Sequence, residues 1–455
     1  MADAAGSRVR WREALLRRVD GASLGIFRIV FGLVMLVEVA RYWSHGWIAS
    51  YYAEPEFFFS YPLFDWVKPL SGQLLAGHFD LLALSAMCIV LGLYTRAAAA
   101  VFAVLFWWWF LSDQTHYLNH FYLIALVATL LPFVPTERAF SLDARYRPHR
   151  DGTCVPTWAL WLVRFQIGVP YFFGSIAKLN ADWFAGEPMR MWLRGMRDVP
   201  LLGPVCTEEW VVASFVWSGL FFDLLVVPAL LWKRTRVPAF LASIAFHATN
   251  AVIFHIGIFP WLMMAATTVF FEPDWPRRLP FLKRARPEVP QPPAPPGIGP
   301  WRRLGLAALG LWVAFQCLMP LRHFLYPGYV SWTEEGHLYA WHMKLRDKSG
   351  TGVFTAREPA TGKTWVVDPL EHLTKKQARE MVQHPDMVLQ FAHHLSEEHE
   401  RAGKGPLEVR ARILMSVNGR KRQLFLDPDV DLAAQPRSLG RWDWILPLTE
   451  PLPGR

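Results

Sequence analysis

Charge is scarce in this chain, and so is cysteine. Only 19% of its 455 residues are Asp, Glu, Lys or Arg, against roughly 25% in soluble domains. With 53% hydrophobic residues, that deficit excludes a chain that is soluble throughout. The four cysteines, Cys88, Cys154, Cys206 and Cys317, are too few for a disulfide scaffold, and no two stand at metal-ligand spacing. Cys206 and Cys317 can both fall near the outer side of a membrane, so a disulfide between them stays open beside two isolated thiols. Walker loop, dinucleotide fingerprint, GxSxG and HExxH are all missing. So is any internal repeat, which argues against a repeat-built transporter. No small-residue cleavage site follows the first apolar run, so the N-terminus reads as a span rather than a cleavable signal.

What the chain does have is apolar length. A helix needs roughly 20 apolar residues to cross the hydrocarbon. Candidate spans fall near 22–43, 74–94, 97–112, 118–134, 157–178, 210–231, 238–254, 258–272 and 301–320, four of them short. Trp107, Trp108 and Trp109 resemble an interfacial aromatic belt. Residues 321–455 carry charge at soluble density. The expected architecture is an α-helical polytopic membrane bundle of about nine spans over residues 1–320, with a Pro-rich linker at 284–300. A smaller mixed α/β extracytoplasmic domain follows over 321–455. In it 337–346, 351–356 and 364–368 read as strands, 374–402 as helix broken near Pro385, and 407–426 as strand with a turn at Asn418-Gly419.

The net charge of +9 does not point to nucleic acid, because the basic clusters sit between apolar runs, as in the cytoplasmic loops of membrane proteins. Counted over alternate loops, Lys and Arg number twenty on the side of the N-terminus and five on the other. That asymmetry puts the N-terminus in the cytoplasm, and nine spans then put the C-terminal domain outside. The partners expected on these grounds are membrane lipid and no nucleic acid.

Ionisable groups inside a bilayer cost several kcal/mol, so three segments stand out. In DQTHYLNHFY (113–122), Asn119 and His120 open the fourth span; a cap with an interfacial His is the plain reading. In YFFGSIAKLNADW (171–183), Lys178 ends a helix with no other charge after Arg164. It reads either as a lysine snorkelling to water or as a desolvated amine able to accept a proton. In FHATNAVIFHIGIFPW (246–261), His247 and Asn250 share a helix face, with His255 two turns beyond His247. Structural hydrogen bonding across helices is the plain reading. A metal site there would need a further ligand, and Asp182 and Asp223 lack the spacing, so no metal is expected.

Together these segments resemble the vitamin K-dependent gamma-glutamyl carboxylases, within the wider group of horizontally transferred transmembrane domains. The resemblance runs in order over about 20–400. It takes in ASLGIFRIVFG (22–32), Asn119-His120, the K-L-x-A-D-W core of 178–183, FHATNAVIFHIGIFPW, EPDWPRRL (272–279), WTEEGHLYAWHMKLRDKSG (332–350) and PDMVLQFAHHL (385–395). It implies that Lys178 deprotonates reduced vitamin K, and that the hydroquinone anion reacts with O2. The strongly basic product takes a glutamate γ-proton, CO2 adds, and the quinone leaves as its epoxide. His120 is implied as a second catalytic residue, with Asn119, His247, Asn250, Asp182 and Trp183 in support. The implied cofactor is reduced vitamin K, with menaquinol as a bacterial form, and the implied partner is a Glu-containing peptide or protein. The animal enzymes carry a much longer C-terminal region that helps bind a propeptide. This chain ends at Arg455, so propeptide-guided modification is not expected, and the resemblance points to a compact, bacterial-type homologue that either recognises a different substrate or only oxidises the quinone. Two alternatives remain: a vitamin K or menaquinone epoxidase without carboxylation, and a non-enzymatic membrane transporter or quinone-binding protein.

Overall fold

The fold was obtained as a computed structural model describing residues 14–148, 152–198, 203–254, 256–282 and 299–453. His255 and nearly all of the Pro-rich linker lie outside the described residues, as do the first three basic positions, Arg8, Arg10 and Arg12. Among the described residues, six helices are long and apolar enough to cross a membrane. They are α1 (Ala22–Ser44), α2 (Gly72–Leu91), α5 (Thr157–Ala177), α6 (Glu209–Leu231) and α7 (Arg236–Phe254), and the stretch Arg303–Leu325, which comprises most of α9 (Pro300–Leu318) and a 3-10 extension. Three further apolar helices are shorter: α3 (Thr95–Leu111), α4 (Asn119–Leu130) and α8 (Phe259–Ala266) with its 3-10 continuation to Phe270. At 1.5 Å per residue, 12 residues cover about 18 Å of the roughly 30 Å hydrocarbon. Nine runs of apolar sequence thus become six helices of spanning length and three that are short of it.

The helices pack as an aromatic-rich bundle. α1 lies against α2 and α8, and α5 against α6. Tyr42, Phe79, Phe106, Trp109 and Phe121 pack together, with the Tyr42 and Trp109 rings 4.7 Å apart at 89°. All four cysteines are free, so Cys206 and Cys317 are not paired.

The C-terminal region is a four-stranded antiparallel sheet with two helices on it. The strands are β3 (Lys348–Arg357), β4 (Thr364–Val367), β5 (Glu408–Val417) and β6 (Gln423–Leu424), in the order β4-β3-β5-β6. A separate small ribbon pairs β1 (Arg18–Asp20) with β2 (Cys154–Pro156). Alternation on β5 buries Val409, Ala411, Ile413, Met415 and Val417. α10 (Lys375–Met381) and α11 (Pro385–Arg401) are separated where expected, with Pro385 in the first turn of α11. The turn after β5 has Asn418 and Gly419 both at positive φ, 52° and 77°, as a type I′ turn requires.

The expected strand at 337–346 does not form. Tyr339, Trp341 and Lys344 adopt φ of 65°, 59° and 52°, which no strand tolerates. The alternating pattern HLYAWHMKLR serves another purpose: Trp341, Leu338 and Tyr339 belong to the core of the helical bundle. Tyr339 lies 4.8 Å from the Tyr122 ring of α4, and Trp341 lies 5.1 Å from it. In the reverse direction, Phe57 and Phe59, from the connection after α1, pack into the core of the sheet. The two halves are therefore interleaved.

Candidate functional site

Lys178 is the residue that caps the C-terminus of α5, its backbone N–H donating to the Ser175 carbonyl (3.1 Å). Its side chain does not snorkel. It is 6% exposed, and Nζ donates to Asp223 Oδ2 at 2.5 Å and to the Gly174 carbonyl at 3.3 Å. The Trp183 ring centre lies 5.4 Å from Nζ. Asp223 is the one acidic residue in the interior of α6 and is itself buried. Two glycines stand beside this pair, and only Gly174 is needed for room. A Cβ on Gly174 would stand 3.3 Å from both Asp223 Oδ2 and Met343 Cε. A Cβ on Gly219 would stand 3.5 Å from the Trp183 ring. Two opposite charges buried together offset each other's desolvation, while either alone would be strongly unfavourable.

The other polar residues gather around this pair unequally. His247 is buried; its Nε2 meets the Tyr171 hydroxyl at 2.7 Å, and its Nδ1 has no partner among the described residues. Phe259 of α8 stands between the two histidines, 6.0 Å from the His247 ring and 5.6 Å from the His120 ring. Asn119 receives the Tyr117 hydroxyl (3.1 Å) and donates to the His342 carbonyl (3.3 Å). Since Met343 Cε packs over Gly174, the 342–343 turn joins Asn119 to the Lys178 end. Trp183 is buried beneath Lys178, its indole N–H donating to the Val216 carbonyl (3.2 Å).

Asp182 is turned away from the pair. Asp182 faces the C-terminal region, where Arg420 grips it with two hydrogen bonds (2.6 and 2.7 Å) and Asn418 with a third (2.8 Å). It latches the turn after α5 to the turn after β5. Asn250 is half-buried on α7.

Two cavities flank the site. The first, about 600 Å³, runs between α5 and α6 with walls that include Phe172, Phe173, Leu224, Pro228 and Cys317. Asp223 and Arg164 are the charged residues on its wall, and Arg164 is held by the carbonyls of Val269 and Phe271 (2.9 and 2.8 Å). The second, about 290 Å³, is polar and lies where α4 meets the C-terminal region, bordered by Asn119, His342, Lys344, Arg346, Lys348 and His384. Neither ring nitrogen of His342 has a partner among the described residues. Burial, with His323, Arg346 and Lys178 nearby, pushes His342 down to about 3. Burial and Arg346 hold His337 far below its usual range.

Sequence reasoning weighed Asp223 only as a metal ligand and left out Tyr171, Gly174, Gly219, His342 and Met343. For Asp223 the signal was present: a single carboxylate in the middle of GLFFDLLVV. The others have no signature in the chain, because their roles depend on which helices meet.

Residues 16–275 match the family model of the HTTM domain. Residues 301–451 match the model described as vitamin K-dependent gamma-carboxylase, lumenal domain. No solved structure matches the chain. With both models matched in this order, the chain belongs to the vitamin K-dependent gamma-carboxylase family, as an HTTM domain joined to that family's lumenal domain.

Proposed function

We propose that this protein oxidises reduced vitamin K, or the related menaquinol, with O2 to the epoxide and uses that reaction to carboxylate glutamyl side chains. Membership of the family implies vitamin K use and a carboxylase-type function; the specific reaction and the residue roles are our reading. The observation that carries it is the buried Lys178–Asp223 pair on the edge of an apolar cavity of about 600 Å³. Walls of that kind suit an isoprenoid quinone, and an ionisable pair beside them suits its hydroxyl. Bound there, the hydroquinone supplies the reaction with O2 and the strong base that no side chain could provide.

The chain's own part is proton handling and positioning. Lys178 Nζ accepts the hydroxyl proton, with Asp223 Oδ2 taking the ammonium's own proton at 2.5 Å. Trp183 and the close approach at Gly174 keep Nζ in place. His247, oriented by Tyr171, offers its free Nδ1 as a hydrogen-bonding group, and His120 stands on the far side of Phe259. Asn119 fixes the 342–343 turn that closes the site. The polar cavity with His342, Lys344 and Arg346 is where a glutamate side chain and CO2 would approach.

The same reading includes the topology: N-terminus cytoplasmic, the three short helices completing the crossings, and residues 321–455 extracytoplasmic. Supporting it is the twenty-to-five charge asymmetry. The test is a paired assay in nanodiscs with reduced vitamin K, 14C-bicarbonate and a Glu peptide, on wild type and Lys178→Ala. Epoxide and labelled carboxylate from wild type, both lost in the variant, are expected. Either product persisting at wild-type level in Lys178→Ala would overturn the role of Lys178. Epoxide without label would reduce the function to quinone oxidation. Solute flux without epoxide would replace it with transport.

A further inference from the structure

Away from the bundle, on the outer surface of α11, a second cluster belongs to no part of the reaction above. His394 and Glu398 are four residues apart on one face of the helix. His372 comes to them from the turn after the 3-10 segment Pro369–Glu371. That turn is fixed by the Asp368 carboxylate, which accepts from the Leu370 N–H (2.9 Å), and by Leu373 N–H donating to the Pro369 carbonyl (2.8 Å). Both imidazoles address one oxygen. His372 Nδ1 is 3.2 Å from Glu398 Oε2, and His394 Nε2 is 3.7 Å from it. All three ligand atoms lie within 4.8 Å of one another.

We propose that His372, His394 and Glu398 form a site for a divalent cation of the zinc class. A tetrahedral ion with bonds of about 2.1 Å holds its ligand atoms about 3.4 Å apart, a spacing that falls between the two nitrogen–oxygen distances. Two imidazoles and one carboxylate are the donor set of zinc, nickel or copper. Calcium and magnesium require six or more oxygens, which this surface does not provide. Rings on both sides hold the imidazoles: Phe57 lies 4.3 Å from His394 and Phe391 lies 5.9 Å from His372. Glu398 is half-exposed at its side chain, so the fourth position faces water. Bound metal would staple the 369–373 turn to α11. Through Phe57 on His394 it would also steady the connection that carries Phe57 and Phe59 from the bundle into the sheet core.

The test uses the full chain in nanodiscs, with any polyhistidine tag removed, titrated with Zn2+ by calorimetry and with Co2+ by visible absorption. One equivalent is expected, with the intense d–d bands of low-coordinate cobalt and a higher unfolding temperature. His394→Ala and His372→Ala should each weaken binding by at least about 10–100-fold, the loss that even outer partners of a metal site cause. Both side chains are partly exposed, at 21% and 18%, so these variants should fold. His45→Ala, at an exposed histidine beyond the end of α1, should bind as wild type does. Absence of saturable binding would overturn the proposal, as would equal binding by wild type and His394→Ala.

Discussion

Among the described residues two lysines are buried, one in each half, and they are built for opposite ends. Lys348, at the start of β3, uses all three of its ammonium hydrogens. It donates to the Trp332 carbonyl (2.9 Å), the Gln383 carbonyl (2.8 Å) and Glu334 Oε1 (3.0 Å), and rests 4.4 Å from the Phe425 ring centre. Lys178 has two hydrogen-bond partners, Asp223 and the Gly174 carbonyl, and borders an apolar cavity through Asp223. Equal burial thus says little about function. What separates a fastening from a working amine is whether every donor is already committed.

The comparison breaks first at Lys178. Lys178→Met should lower epoxide formation by about 10²–10⁴-fold, the usual contribution of a positioned acid–base group. It also leaves Asp223 buried without its partner. The double variant Lys178→Met/Asp223→Asn should regain the lost thermal stability and none of the activity. Regained activity in the double variant would separate the pair from catalysis.

Lys348→Met should act on stability instead. Removing one member of a buried ion pair costs about 3–5 kcal/mol, here from Glu334 and two backbone carbonyls that lose their donor. Denaturant unfolding of the C-terminal region would read this out. A variant as stable as wild type would show that Lys348 fastens nothing.

Acid tests the interface between the halves. His342 has its folded value lowered to about 3, below the usual unfolded value of about 6.5. The unfolded chain therefore binds more protons between those values, and stability is full above pH 6.5 and falls as pH drops. At pH 5 this one group costs about 2 kcal/mol. His337 and His384, lowered in the same direction by burial, add to it. A melting temperature unchanged from pH 7.5 to pH 5 would contradict this account.

Much of the bundle was legible in the sequence because apolar length is a property of the chain itself. Both helices on the sheet and its four strands were legible too, the helix break through Pro385 and the last hairpin through the Asn418-Gly419 turn. The alternating stretch 337–346 misled for a physical reason. Alternation marks a strand only if the backbone is extended, and here positive φ at Tyr339, Trp341 and Lys344 turns the same aromatics into a plug for the bundle. Lys178 was visible as a charge where charge is expensive. Asp182, three residues after Leu179 in the same motif, was not separable from it in the sequence, yet it serves as a latch to Arg420. His372 lies 22 residues before His394, too far for any spacing rule to join them.

The finest distinction concerns the two glycines beside Lys178. A methyl at Gly219 would lie 3.5 Å from Trp183 and 3.9 Å from Lys178 Cε, which is ordinary van der Waals contact. A methyl at Gly174 would lie 3.3 Å from the Asp223 oxygen and from Met343 Cε, tighter than such contacts usually are. Each glycine sits inside a helix, where alanine is favoured over glycine by about 0.5–1 kcal/mol. Gly219→Ala should therefore be neutral or slightly stabilising and keep its turnover. Gly174→Ala should gain the same helix preference and still lose turnover, because the crowded atoms are those that hold Nζ. A displacement of about 1 Å in a catalytic group can cost 10²-fold, so even a few tenths should be readable in epoxide formation. Equal activity in the two variants would mean that the position of Asp223 does not limit the reaction, and the lysine would then need no more than proximity to its carboxylate.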